Sequence, residues 1–166
     1  VANPTRAREL IERLQMQPHP ERGYFVETYR SANDVGCATH PGQRSASTAI
    51  YYLVTAEQPA TALHRLLSDE IFHLYEGGPL AILRLFPDGS WDRPTLGLDL
   101  DAGQRPQIVI PAGTWFGAEL DEGAEHCLVG CTVAPGFDFQ DFELAQGPEL
   151  AERYPQARKT IERMSR

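Results

Sequence analysis

Between Ser47 and Val133 short apolar runs follow one another at close, regular spacing, and glycine or proline ends almost every one. The runs are Ser47–Thr55, Pro79–Phe86, Gln107–Pro111, Trp115–Leu120 and Glu125–Val133. The breaks are Glu57-Gln58-Pro59, Pro87-Asp88-Gly89-Ser90, Ala112-Gly113 and Asp121-Glu122-Gly123. Glycine admits positive φ and proline cannot continue a ladder, so these breaks read as tight turns between strands. Helical patterning is confined to the two ends. This arrangement predicts an all-β barrel or double-sheet jelly roll with N- and C-terminal helices, and such barrels enclose a cavity.

At 166 residues the chain reads as a single domain spanning 1–166, long enough to bury a sizeable core. The net charge of −8 disfavours nucleic acid and anionic membranes as partners and leaves a small-molecule ligand as the expectation. Cys37, Cys127 and Cys131 are odd in number and lack metal-site spacing, so they read as free thiols in a reducing compartment. Without a signal-like or membrane-spanning apolar run, the expectation is a soluble cytoplasmic protein.

Asn3-Pro4 opens the first predicted helix, with Ala7, Leu10, Ile11 and Leu14 on its buried stripe. Tyr24–Arg30 reads as a strand whose alternation places Phe25, Glu27 and Tyr29 on one face. Residues 31–43 read as a long loop, a candidate flap over a site, and Thr95–Leu100 alternates weakly and reads as an edge strand. From residue 148 onward the tail is helical and broken once, at Pro155.

The stretch with the most chemistry is Thr61–Leu80, TALHRLLSDEIFHLYEGGPL. It reads as a β-hairpin with one strand ending near Leu66 and a second running from Glu70 to Tyr75. His64 and Glu70 would then meet at one end of a sheet. That pairing serves a metal site, an acid–base pair or a buried hydrogen bond. As an acid–base device, His64 is the base and Glu70 its orienter, with His73 or a tyrosine as the second proton carrier. As a metal site, His64 and Glu70 need further ligands, for which His73 and His126 are the candidates. Trp115 is a candidate cavity wall, because its indole N–H wants a partner. Cys127 and Cys131 share one strand face and read as packing.

His64, Glu70 and Gly77 fit the first motif of the cupin superfamily, G-x5-H-x-H-x3-E-x6-G, with Leu66 at the second histidine and Gln58 at the leading glycine. Pro111 and Gly113 fit the second motif, but Phe116 stands at its histidine and Leu120 at its asparagine. The chain therefore resembles the cupins, whose fold is a double-stranded β-helix, and over nearly its whole length it resembles their cupin-5 branch. Of the usual three histidines and one glutamate that hold a cupin metal, only His64 and Glu70 remain. The resemblance implies a homodimer.

A shorter likeness is carried by Glu21-Arg22-Gly23-Tyr24-Phe25-Val26-Glu27, which is similar to a pattern in dTDP-4-keto-6-deoxyhexose 3,5-epimerases. It implies substrate-binding roles for Arg22, Phe25 and Glu27, a general-base role for His64 and a catalytic tyrosine at Tyr75. The resulting expectation is a sugar- or nucleotide-sugar-type isomerase or epimerase working by metal-independent proton transfer, with no cofactor. The alternatives are an isomerase or dioxygenase that uses a divalent transition metal, and a non-catalytic small-ligand binding protein.

Overall fold

The structure is a computed structural model and describes residues 5–165. It opens with α1 (Arg6–Leu14), then β1 (Gln17–Pro18), β2 (Tyr24–Arg30), β3 (Asp34–Gly36), β4 (Gln43–Ser45) and β5 (Thr48–Thr55). Next come β6 (His64–Arg65), β7 (Asp69–Gly77), β8 (Leu80–Leu85), β9 (Trp91–Asp92) and β10 (Thr95–Leu96). After β11 (Gln107–Ile110), β12 (Trp115–Leu120), β13 (His126–Ala134) and β14 (Glu143–Leu144), α2 (Gly147–Arg153) and α3 (Arg158–Met164) close the chain. Among the described residues no helix is long and apolar enough to cross a membrane. The expected Asn3-Pro4 helix start lies outside the described residues.

Two antiparallel sheets face each other. One runs β1-β2-β5-β13-β7-β11, and the other runs β10-β8-β12-β6-β14 with β9 on the edge of β8. Alternation explains how one set of strands serves several cores. Leu80 and Ile82 of β8 point between the sheets, while Leu83 and Leu85 point outward beneath α2 and α3. In β13, Cys127, Val129 and Cys131 face the interior, as expected, and Leu128 packs under α1. The terminal helices thus cap the two outer faces and make the sheets apolar on both sides.

Three expectations need correction. Thr61–Leu80 is not a hairpin: β6 pairs with β12 and β14 in one sheet, and β7 pairs with β13 and β11 in the other. The segment 66–68 is a corner that carries the chain from sheet to sheet. It is pinned where Gly113 N–H donates to the Leu66 carbonyl (2.8 Å) and Ala112 N–H donates to Asp69 Oδ1 (2.8 Å). Residues 31–43 are not an open loop, since β3 and β4 pair within and beside them. That hairpin is anchored by Arg44, which grips Asp141 through two bonds of 2.8 and 2.9 Å, and by His40 Nε2 against Ser68 Oγ at 2.8 Å. Of the expected edge strand 95–100 only Thr95 and Leu96 pair.

Candidate functional site

A cavity of about 260 Å³ opens between the sheets at the β6–β7 corner. Its depth is polar and buried: Glu21, His64 and Glu70 are 6%, 4% and 7% exposed. Its outer part is aromatic, with Phe25, Phe137, Phe139 and Phe142, and is flanked by Glu27 and Arg30. A bulge between Glu27 and Tyr29 in the β2–β5 ladder explains why Glu27 and Arg30, three residues apart, both reach it while Tyr29 turns to solvent.

His64 arrives from β6 with its ring between Phe116 and Phe142, at centroid distances of 4.1 and 5.3 Å. Its Nδ1 lies 2.9 Å from the Ala62 carbonyl oxygen and 2.7 Å from Glu21 Oε2. The Ala62 carbonyl takes the hydrogen bond, and the carboxylate sits at ion-pair distance beside it. Both neighbours are acceptors, so Nδ1 carries the proton in the neutral ring and the lone pair resides on Nε2. Among the described residues Nε2 has no hydrogen-bond partner. Burial is the largest influence on His64 and lowers its basicity, but the adjacent Glu21 carboxylate, the Glu70 charge and the Ala62 carbonyl together outweigh it and the net shift is upward. Burial likewise acts to raise the Glu21 carboxyl, and His64 holds it below its ordinary value.

Glu21 is placed by a constrained turn. Its carbonyl accepts from Ala62 N–H at 2.8 Å, which ties residue 21 to the entry of β6. Arg22 and Gly23 both take positive φ, 76° and 71°, and a Cβ at Gly23 would sit 2.7 Å from the Leu53 carbonyl oxygen. A non-glycine residue in that region is strained, and here it adjoins the residue that orients the histidine. His19 also lines the cavity. Its Nδ1 accepts from Glu21 N–H at 3.2 Å, so this ring is protonated on Nε2, and burial lowers its basicity.

Glu70 comes from β7 in the facing sheet. Burial pushes its carboxyl up to about 7, the His64 charge works against this, and the Glu21 charge adds to it. Its Oε2 is buried with no hydrogen-bond partner among the described residues. The site thus joins a histidine raised by a carboxylate to a carboxyl raised by desolvation, two groups from opposite sheets that feel each other's charge.

Of the residues picked out from sequence, His64, Glu70, Phe25 and Glu27 line the cavity. Glu70 is not the partner of His64 Nδ1; Glu21 is. His73 stands on the opposite face of β7 from Glu70 by alternation, near Thr132 Oγ1 (3.3 Å), and Tyr75 sits at a ladder irregularity of β7 facing Leu128 and Val129, edge-on to Tyr51 and 56% exposed. Arg22 reaches away to the Ala60 carbonyl (3.3 Å). Trp115 faces the C-terminal helices with the Arg65 guanidinium 4.5 Å over its ring, while its neighbour Phe116 is the one that turns inward. His126 pairs with Glu76 at 3.2 Å.

A cupin-type metal needs three or four converging donors. His73 and His126 do not converge with His64 and Glu70, and Phe116 and Leu66 occupy motif positions that would have supplied histidines. Among the described residues no three His, Cys, Asp or Glu side chains form a metal-holding group. The residues present therefore do not fit the metal. His19, Glu21, Arg30 and the Phe137–Phe142 turn are the lining residues that sequence reading passed over. Glu21 was in view as the first residue of the epimerase-like pattern, but no local signal pointed it at His64.

Two facing antiparallel sheets around an interior polar cavity, with first-motif His64 and Glu70 in its depth and second-motif Phe116 packed against His64, define a cupin double-stranded β-helix. The chain belongs to the Cupin_5 family, described as Cupin superfamily (DUF985), which matches residues 8–145. An uncharacterized protein of Saccharomyces cerevisiae is 31% identical over 158 residues, covering 88% of this chain and 78% of the relative. A hypothetical protein from Leishmania major has a solved structure similar at a TM-score of 0.89 and 36% identity, covering 97% of this chain and 99% of that one. A protein from Shewanella oneidensis is similar at a TM-score of 0.86 and 36% identity, covering 98% and 99%.

Proposed function

We propose that the protein is an isomerase or epimerase of a sugar-type carbonyl compound that moves a proton between His64 and Glu70. The observation that carries this reading is that His64, bonded only through Nδ1 among the described residues, and the Glu70 carboxyl, whose Oε2 has no partner among them, enter one cavity from opposite sheets. Paired titratable groups with environments that shift them toward neutrality are suited to acid–base exchange. The active pair holds one proton. The group without it takes hydrogen from the carbon beside the carbonyl, and the C–H electron pair moves onto the carbonyl oxygen as an enolate. The other group returns its proton to that carbon from the opposite side as the enolate collapses. Glu21 is a positioning residue that fixes Nδ1 as the protonated nitrogen and leaves Nε2 to react. Each turnover leaves the proton on the group that began without it, and exchange with water resets the pair.

The test is deuterium incorporation from heavy water at the carbon beside the carbonyl, across a panel of keto-sugars. Wild-type protein should exchange this hydrogen in at least one, and His64→Gln and Glu70→Gln should each slow exchange by about a hundredfold or more. No exchange anywhere in the panel would sink the reading. The rate should be bell-shaped in pH, with its acid limb near the Glu70 titration at about 7 and its alkaline limb above the ordinary histidine value.

A further inference from the structure

We infer that this cavity selects phosphate-free carbonyl compounds of single-ring size and turns away nucleotide-linked sugars. The inference rests on the cavity being the reactive site and narrows what enters it. Three observations converge.

The first is size. Pockets that enclose drug-sized ligands run from about 300 to 1,000 Å³. At about 260 Å³ this one lies just below that range. A nucleoside diphosphate-sugar consists of base, ribose, pyrophosphate and sugar in a row, so most of it would lie outside.

The second is charge. Phosphate recognition calls for uncommitted guanidinium or ammonium donors. Among the described lining residues the single such side chain is Arg30, and it is already engaged. Its Nε donates to Glu27 Oε1 at 2.9 Å, its Nη2 donates to Glu27 Oε2 at 2.7 Å, and its Nη1 donates to the Phe137 carbonyl at 3.2 Å. A phosphate would have to displace a bidentate carboxylate and then lie beside it. Asp138 adds a further acidic side chain at the same rim.

The third is the character of the rim. Phe137, Phe139 and Phe142 meet edge to face at centroid distances of 4.9 to 6.2 Å. Such a surface suits the C–H face of a sugar ring or another uncharged ring, not an ionised chain.

The experiment is isothermal titration calorimetry of the full chain against a panel of free keto- and aldohexoses, their monophosphates and their dTDP- and UDP-linked counterparts. At least one free sugar should bind at least tenfold more tightly than its own phosphorylated and nucleotide-linked forms. Glu27→Gln, at an exposed position, frees the Arg30 fork and should narrow or reverse that gap by about tenfold. Tighter binding of the phosphorylated or nucleotide-linked members by wild type would overturn the inference, and so would failure of every free sugar to bind. Hydrogen exchange on the same panel separates the two readings. A free sugar that binds without exchange leaves the selectivity standing and sinks the proton-transfer chemistry. A nucleotide-linked sugar that exchanges does the reverse.

Discussion

Glu70 keeps a proton in the folded chain that it would release in the unfolded one between pH 4.5 and about 7. The folded state therefore binds more protons across that window, and stability falls as pH rises through it. At full strength the shift corresponds to on the order of 3 kcal/mol. Urea melts at pH 5 and pH 8 should show this loss in wild type and a smaller one in Glu70→Gln; equal slopes would refute the assignment. His64 acts in the same direction, since its raised value stabilises the fold below the unfolded histidine range and the benefit is lost as pH climbs through the folded value. Glu21, held low, contributes stability above the ordinary carboxylate range that is lost as pH falls through its folded value. The pair is also separable by NMR. In Glu21→Gln, the strongest opposition to burial is gone, and the His64 imidazole should titrate lower than in wild type; an unchanged titration would refute the Glu21 assignment.

At the level of elements, the terminal helices and the β3–β4 hairpin hold the barrel from outside. Ile161 of α3 is wholly buried against the outer face of the second sheet, so Ile161→Ala should cost about 3 kcal/mol in denaturant unfolding. Tyr154 anchors the α2–α3 joint by donating its hydroxyl to the Phe86 carbonyl at 2.6 Å, and Tyr154→Phe should cost about 1 kcal/mol. The hairpin depends on the Arg44–Asp141 pair. Removing Arg44 alone strands a buried carboxylate, so Arg44→Met should lower the urea midpoint more than the double variant Arg44→Met/Asp141→Leu does. The reverse order would mean that the hairpin is held mainly by its backbone ladder.

Across the whole molecule the cores are not independent. β8 supplies Leu80 and Ile82 to the interior and Leu83 and Leu85 to the helical layer, and β5 supplies Tyr52 to the interior and Leu53 to the α1 layer. Loss of any layer exposes strands that the others need. Far- and near-ultraviolet circular dichroism should therefore report coincident melts with a calorimetric enthalpy equal to the van't Hoff value, and a separate transition for the C-terminal helices would contradict this.

Much of this architecture was legible along the chain. Strand runs, glycine and proline turns and end helices are local matters of sterics and apolar period, and they predicted a β-barrel with capped ends. Alternation correctly put Cys127 and Cys131 on one interior face. The same rule already separated His73 from Glu70. β7 does carry a ladder irregularity, but it falls at Tyr75, beyond His73, and leaves His73 on the face opposite Glu70; the bulge that shapes the cavity lies in β2, where it recruits Arg30. Period reveals which face a side chain takes but not which sheet its strand joins, so the β6–β7 corner looked like a hairpin. The partner of His64 was likewise beyond sequence. Glu21 and His64 are distant in the chain, and their 2.7 Å approach exists only because the turn before β2 packs against the entry of β6. The sequence by itself determined the strands, the turns and the family. The tertiary structure decided which charged groups share a cavity, because desolvation and pairing act through space between sheets and leave no period in the chain.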